Sequence, residues 1–266
     1  MKIFKYWIAE KTRINIQGEM KEITTYGGSN ISLDDAGIKA REKTDLIKRK
    51  INGETDVFED YEVEIREELL QVVDDKTVIT RNRYGAQVMN AENLMFLDID
   101  KPKPVGLGGL FKKSAGTDKE KIFEMVRNLA SNSKYAGLGF RIYETYQGAR
   151  VIVTGRSFDA RDASTMAMMR DFHSDPLYAA ICRKQGCFRA RLTPKPHRMK
   201  LKAYKVRYPR EVEDAQFDSW LQTYEHASRG YSVCKFVEQT GASHGMSEAV
   251  RFHDEMTGAS LHLPLA

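Results

Sequence analysis

The chain has 266 residues, a net charge of +5, 41% hydrophobic residues and 30% charged residues, a composition typical of a soluble globular protein. It contains no apolar run near the roughly 18 residues that a membrane helix needs, and its charged N-terminal start does not resemble a signal peptide. Its three cysteines are few and odd in number, which favours free thiols in a reducing compartment, so we expect a cytoplasmic protein without a membrane partner.

The first portion of the chain, residues 1–89, is predicted to consist of strands around one helix. Ser32 is the predicted N-cap of that helix and Gly53 its end, because these residue types satisfy the unpaired backbone groups of helix termini. The predicted strands cover residues 2–10, 13–28 (two strands that turn at Gly18), 61–73 and 77–89.

The middle portion, residues 90–210, starts with an apolar strand and continues through mixed elements. Its predicted elements are the strand over 94–100, a mobile Pro- and Gly-rich loop over 101–117, a helix that Thr117 and Glu120 begin with a capping box, two strands joined by a tight turn before Gly148, one or two helices over 160–184 broken near Asp175–Pro176, and a strand over 187–193. The last portion, residues 211–266, is predicted as a helical and strand extension. These portions form separate units or one continuous domain, and their order predicts an α+β fold with a largely antiparallel sheet.

Asp98 and Asp100 close the apolar stretch "LMFLDID" and define the first candidate site. Because strand side chains alternate, both carboxylates lie on one face, with Cα atoms about 6.5–7 Å apart. Carboxylate oxygens are preferred ligands of Mg²⁺ and Mn²⁺, and aspartate is disfavoured within strands. The pair therefore predicts a divalent-metal site, and the other interpretation is two solvated carboxylates after a strand that ends at residue 97.

A basic tract over residues 183–210 contains eleven Lys or Arg residues and no Asp or Glu. The tract interleaves cations with Phe188, Tyr204 and Tyr208, and this combination suits phosphate binding and stacking on unpaired bases. We therefore expect a polyanionic partner, DNA or RNA. The predicted nucleic-acid-binding residues are Arg81, Arg83, Arg198, Lys200, Lys202, Lys205 and Arg207.

The order of these motifs resembles the catalytic core of the archaeo-eukaryotic primase (primase-polymerase) superfamily, which is RRM-like. "LMFLDID" is similar to its Asp-x-Asp strand, the turn at Gly148 to its second motif, and "FRARLTPKPHRMK" to its basic strand, over roughly residues 90–205. The resemblance implies a metal-dependent nucleotidyltransferase with Asp98 and Asp100 as catalytic, metal-binding residues, Mg²⁺ or Mn²⁺ as the cofactor and a nucleoside triphosphate as a partner. The nucleotide- and phosphate-binding residues that it implies are Arg150, Arg189, Arg191, Thr193 and Lys195.

Two departures from that family pattern bear on the expected activity. Arg150 stands where the family has its nucleotide-contacting histidine. The arginine keeps a hydrogen-bond donor for phosphate at this position but removes the neutral imidazole. A third metal carboxylate is not identified by any motif, and Glu144 on the neighbouring strand is the suggested candidate. We therefore expect the protein to bind a triphosphate even if it has lost the ability to polymerise nucleotides.

Two other functions remain open at this point. A non-catalytic DNA- or RNA-binding module would need only the basic and aromatic residues. A haloacid-dehalogenase-like phosphatase also begins with a strand ending in Asp-x-Asp and later has a Thr-Gly strand like "VIVTGR" over 151–156. That fold, however, requires a parallel sheet, whereas the tight turn before residue 151 predicts antiparallel neighbours.

Overall fold

The computed structural model describes residues 1–54, 63–101, 117–205, 208–209 and 214–266. Within these ranges the strands and helices, in chain order, are β1 (Tyr6–Ile16), β2 (Glu19–Ser29), α1 (Leu33–Ile51), β3 (Glu68–Asp74), β4 (Thr77–Arg81), β5 (Gln87–Ala91), β6 (Met95–Asp100), α2 (Asp118–Ala130), β7 (Gly139–Thr145), β8 (Gly148–Thr154), α3 (Ala163–Asp171), α4 (Pro176–Gln185), β9 (Phe188–Arg191), α5 (Ala215–Ser228), β10 (Cys234–Gly241) and α6 (Glu248–Thr257). All pairings between these strands are antiparallel, which confirms the predicted α+β class with antiparallel sheets.

The N-terminal hairpin of β1 and β2 packs against α1. Ser32 caps this helix as predicted, its Oγ accepting a hydrogen bond from the backbone N–H of Asp35. A Cβ atom at Gly27 would lie 1.9 Å from the carbonyl oxygen of Ala36, so glycine is what allows helix and hairpin to approach so closely. The prediction of separate strands over 2–10 and 13–16 was wrong. β1 continues through its polar residues because it is paired with β2 over its whole length.

The first four-stranded sheet has the order β3-β4-β5-β9. The single strand predicted over 77–89 is in fact the pair β4 and β5. They are joined by a turn in which the Asn82 side chain accepts hydrogen bonds from the N–H groups of Tyr84 and Ala86, and Gly85 adopts φ +81°. Because β5 pairs with β9, this sheet contains residues from both sides of the predicted boundary between the first and middle portions, at residues 89 and 90.

The second four-stranded sheet has the order β10-β7-β8-β6, which leaves β6 at one edge. Helix α2 begins with the predicted capping box of Thr117 and Glu120 and buries Ile122, Phe123 and Val126. The paired positions Asp98, Arg150 and Tyr143 form one row across the sheet, on the face opposite Ile99 and Ala149.

The C-terminal elements complete the surroundings of this polar face. The break predicted near Asp175–Pro176 is confirmed, because Asp175 caps α4 and Pro176 is its first residue. Helix α6 brings the ring of His253 within 5.7 Å of Phe96 and 5.1 Å of Tyr143, measured between ring centroids. In the described ranges, no helix is both long enough and apolar enough to cross a membrane.

Candidate functional site

The two aspartates predicted to bind metal lie at the exposed end of β6. Asp98 faces Arg150 and Asp100 faces Gly148 in the antiparallel register with β8, so both carboxylates emerge on the same face. A Cβ atom at Gly148 would lie 2.0 Å from the carbonyl oxygen of Ile99. Glycine is therefore required where the hairpin turn meets the end of β6, next to Asp100.

A third carboxylate, that of Asp175, lies beside this pair. The N–H of Asp175 donates to the carbonyl of Asp98 at 2.7 Å, and the hydroxyl of Ser174 accepts from the N–H of Asp98 at 3.2 Å, so this segment runs along the edge of β6. Much of Asp100 is exposed, yet desolvation of its carboxylate, followed by the charges of Asp98 and Asp175, raises its pKa. Asp175 was predicted only as part of a break between helices, because nothing local in the sequence brings it to β6.

Glu144, the candidate suggested for a third metal ligand, lies elsewhere. It pairs with Ala149, which pairs with Ile99, so Glu144 occupies the face opposite Asp98. Its Oε1 accepts from the Nζ of Lys119 at 2.6 Å. The geometry therefore makes Asp175, rather than Glu144, the neighbour of the aspartate pair.

The carboxylates of Asp98 and Asp100 have the chemistry that Mg²⁺ or Mn²⁺ requires. Within the described residues, no group of three or more Asp, Glu, His or Cys side chains is arranged to hold a metal ion. Mg²⁺ commonly binds through one or two carboxylates, with water and substrate phosphates completing its coordination. Burial is the largest cause of the raised pKa of Asp100, and repulsion from Asp98 and Asp175 adds to it. A divalent cation relieves such repulsion, so the donor set fits a metal that arrives with a phosphate ligand.

Four cations lie near Asp98, and we call them the cation cluster: Arg150, which pairs with Asp98 on β8, and Arg191, Lys195 and Arg198, on which the charge of Asp98 acts. Burial, followed by the charges of Arg150 and Arg198, lowers the pKa of Arg191 to about 10. Burial, followed by Arg191 and Arg198, also lowers the pKa of Lys195, and Asp98 and Asp100 only partly oppose the shift. For Arg191 and Lys195, repulsion from neighbouring cations therefore outweighs the attraction of the nearby acids.

The hydrogen bonding of the cluster leaves donors for a ligand. The Nε of Arg191 is buried and has no hydrogen-bond partner. Among the described residues, no member of the cluster has an acidic oxygen within 4.0 Å. An unpaired buried donor is costly, and donors to an anion are strong, so this arrangement favours a bound phosphate or carboxylate.

Arg150 lies on a buried network that the sequence did not predict. Its Nη1 donates to the carbonyl of Arg191 and to the Nε2 of His253, both at 3.0 Å. The Nδ1–H of His253 donates to Asp254 at 2.9 Å, and Asp254 also accepts from Tyr143 and Arg141, each at 2.7 Å. Burial lowers the pKa of His253 to about 4, so the imidazole is neutral and accepts from the guanidinium. This neutral acceptor fixes Arg150 without neutralising its charge.

Asp98 and three members of the cluster line an open cleft of about 1170 Å³. The cleft runs between the second sheet, the first sheet and the N-terminal hairpin with its helix. Its further lining includes Trp7, Tyr26, Lys43, Arg66, Arg81, Arg83, Tyr84, Tyr178, Arg189, Lys205 and Tyr208. The structure thus brings Asp98 and much of the predicted basic set to one concave surface, with Asp100 two residues further along the same face of β6.

Two of the predicted cations in this cleft are already paired with acids. Arg189 binds Glu67 at 2.5 Å, and Arg81 binds Glu68 at 3.2 Å and Glu225 at 3.6 Å. We call these residues the glutamate wall. A guanidinium in such a pair has less charge to offer a phosphate than one in the cation cluster.

The remaining predicted residues take different positions. The hydroxyl oxygen of Thr193 accepts from the N–H of Gln87 at 2.9 Å and from the Tyr224 hydroxyl at 2.7 Å, so it joins β5 to α5 instead of facing the aspartates. Lys200 and Lys202 are exposed and do not line the cleft. Arg207 and nearly all of the loop predicted over 101–117 lie outside the described residues.

The antiparallel pairing of β6 with β8 does not fit the parallel sheet that a haloacid-dehalogenase-like phosphatase requires. All three cysteines are buried free thiols, as predicted. Comparisons with protein-family models, with curated proteins and with solved structures found no match. The chemistry of the cleft therefore carries the functional argument.

Proposed function

We propose that this is a nucleic-acid-associated protein with a primase-like, divalent-metal-dependent site for a nucleotide or a phosphodiester. The observation that carries the proposal is that an excess of negative charge around Asp100 lies close to an excess of positive charge around Arg191 and Lys195. Burial and then the neighbouring acids raise the pKa of Asp100, while burial and then the neighbouring cations lower the pKa of Arg191 and Lys195. A metal-bound polyphosphate would neutralise both groups at once, because the metal ion binds the aspartates and the phosphates bind the cation cluster.

In this proposal the residues divide into two roles. Asp98 and Asp100 hold Mg²⁺ or Mn²⁺, which neutralises phosphate charge when it is bound. Arg191 and Lys195 donate to phosphate oxygens, and Arg150 adds its fixed charge from the floor of the cleft. The RRM-like, primase-like core belongs to the same proposal: the order β6, α2, β7, β8 supports it, since it is the strand, helix and hairpin of the resemblance.

Binding of ATP in the presence of Mn²⁺, measured by calorimetry, tests the proposed site. The wild-type chain is compared with the double variant Asp98→Asn, Asp100→Asn, which keeps the size of both side chains and removes their charge. Because even residues that only support a metal ligand contribute about 10- to 100-fold to metal affinity, we expect the double variant to lose at least about 100-fold in Mn²⁺-dependent ATP affinity.

The matched control is Asp45→Asn, which removes an acid of α1 that pairs with Lys48 on the surface. This variant should bind ATP as the wild type does. Equal Mn²⁺-dependent binding by the wild type and the double variant would contradict the metal site.

A non-catalytic single-strand-binding module is the second candidate, and the aromatic residues of the cleft favour it. The guanidinium of Arg66 lies 3.4 Å from the ring centroid of Tyr26, and that of Arg83 lies 4.8 Å from the ring centroid of Tyr84. Such cation and ring pairs suit phosphates and unpaired bases. If oligonucleotide affinity falls steeply with salt but ignores EDTA and both aspartate substitutions, the module is the better description.

A further inference from the structure

The turn between β7 and β8 carries an exposed aromatic ring next to the aspartates. Tyr146 is 49% exposed, and the guanidinium of Arg198 lies 4.4 Å from its ring centroid. The turn is held against the end of β6, because the carbonyl of Gln147 accepts from the N–H of Lys101 at 3.0 Å. The ring therefore belongs to the turn at the end of β6, two residues before Gly148, which pairs with Asp100.

Arg198 connects this ring with the acidic and basic groups of the proposed site. Its Nη2 donates to the Oε1 of Gln147 at 3.1 Å, which holds the guanidinium over Tyr146. The charges of Asp98 and Asp100 also act on Arg198, and Arg198 in turn acts on Lys195 and Arg191. One face of the ring is thus covered by a member of the cation cluster, and Tyr146 remains 49% exposed, which leaves room for a ligand.

We propose that Tyr146, backed by Arg198, stacks on the base of a nucleotide whose phosphates bind the cation cluster. The inference rests on the proposed function and names its ligand class, a nucleoside triphosphate as opposed to an inorganic polyphosphate. A flat ring backed by a guanidinium suits a nucleobase, since every base offers a π face. Stacking of this kind accepts all bases, so the surface selects nucleotides over bare phosphates without choosing among bases.

Competition between two polyanions tests this assignment on the full chain. Mn²⁺-dependent affinities are measured for ATP and for inorganic tripolyphosphate, which carries the phosphates but no base. We expect the wild type to favour ATP by about 5- to 160-fold, the range that stacking of one base provides. Tyr146→Ala should bring the two affinities close together and Tyr146→Phe should keep the preference, because only the ring is needed.

The control is Tyr6→Ala, which removes a ring on the N-terminal hairpin that also lies beside a cation, Lys5 at 5.0 Å. It should leave the ratio of the two affinities unchanged. Equal affinities in the wild type, or a preference for ATP that survives Tyr146→Ala, would overturn the stacking assignment while tripolyphosphate binding still supports the site. If neither polyanion binds, the proposed function fails and the stacking assignment fails with it.

Discussion

Arg189 and Arg191 lie two residues apart on the same face of β9, yet their surroundings are opposite. Arg189 belongs to the glutamate wall and is bound to Glu67, which also accepts from the hydroxyl of Thr80 at 2.6 Å. Arg191 belongs to the cation cluster, and burial and neighbouring cations lower its pKa to about 10, whereas the Nε atoms of both arginines are buried without a hydrogen-bond partner. In the proposed function, the first arginine stabilises the fold and the second keeps its charge available for a ligand.

This difference teaches how a basic tract should be interpreted. A count of Lys and Arg residues treats both arginines alike, but a guanidinium already paired with a carboxylate contributes mainly to stability. A guanidinium among other cations destabilises the ligand-free protein through repulsion. When an anion binds, this repulsion is relieved, and the free energy released favours binding. Two substitutions separate these two roles, and a third tests the imidazole that fixes Arg150.

The largest effect is expected for Arg189→Met, which removes one partner of a nearly buried ion pair. Glu67 would keep its hydrogen bond from Thr80 but lose its counter-charge, and such losses cost about 3 kcal/mol or more. Urea unfolding should therefore show a lower free energy of unfolding by about that amount. Triphosphate affinity, measured well below the unfolding transition, should change by less than about 3-fold if this arginine is structural.

A smaller effect of the opposite kind is expected for Arg191→Met. Loss of a charged donor to phosphate corresponds to about 2 kcal/mol, so Mn²⁺-dependent ATP affinity should fall about 30-fold. The free energy of unfolding should stay the same or rise, since repulsion with Arg150 and Arg198 is relieved. A variant that unfolds more easily and still binds ATP normally would show that the two arginines do not differ as described.

The smallest effect concerns the neutral imidazole that fixes Arg150. The folded-state pKa of His253 is about 4, below the value of about 6.5 in an unfolded chain, so the unfolded state takes up the proton first. This contribution to stability is complete above about pH 6.5 and is lost as the pH falls toward 4. Between pH 7 and 5.5 it amounts to about 1 kcal/mol.

His253→Gln removes this titration and keeps an oxygen that can accept from Arg150. Urea unfolding at pH 7 and pH 5.5 should show that the wild type loses about 1 kcal/mol more than the variant does. The control His262→Gln, at an exposed position, should follow the wild type. Identical pH dependence in the wild type and in His253→Gln would show that this imidazole is not neutral in the folded protein.

Features set by neighbouring residues could be predicted from the sequence. Ser32 and Thr117 cap their helices as expected, because capping depends on residues three or four positions apart. Asp98 and Asp100 share a face because strand side chains alternate. The division of residues 77–89 into two strands was missed, since the turn depends on how the Asn82 side chain bonds to the backbone of residues 84 and 86.

Features set by distant residues could not be predicted. Asp175 reaches the aspartates through backbone bonds to an edge strand 77 positions earlier in the chain, and His253 meets Arg150 across 103 positions. The sequence equally gave no reason to separate Arg189 from Arg191, since Glu67 lies 122 residues before Arg189. The residue types predicted a site for metal and phosphate, and only tertiary contacts show which of its cations are already bound to acids.

A crystal structure of the chain with Mn²⁺ and a non-hydrolysable ATP analogue tests the central claim, that the aspartates and the cation cluster form one site. We predict an anomalous Mn²⁺ peak at the carboxylates of Asp98 and Asp100, with phosphate oxygens within hydrogen-bonding distance of Arg191 and Lys195. A triphosphate bound away from the cation cluster, or Mn²⁺ bound only at other carboxylates, would contradict the account.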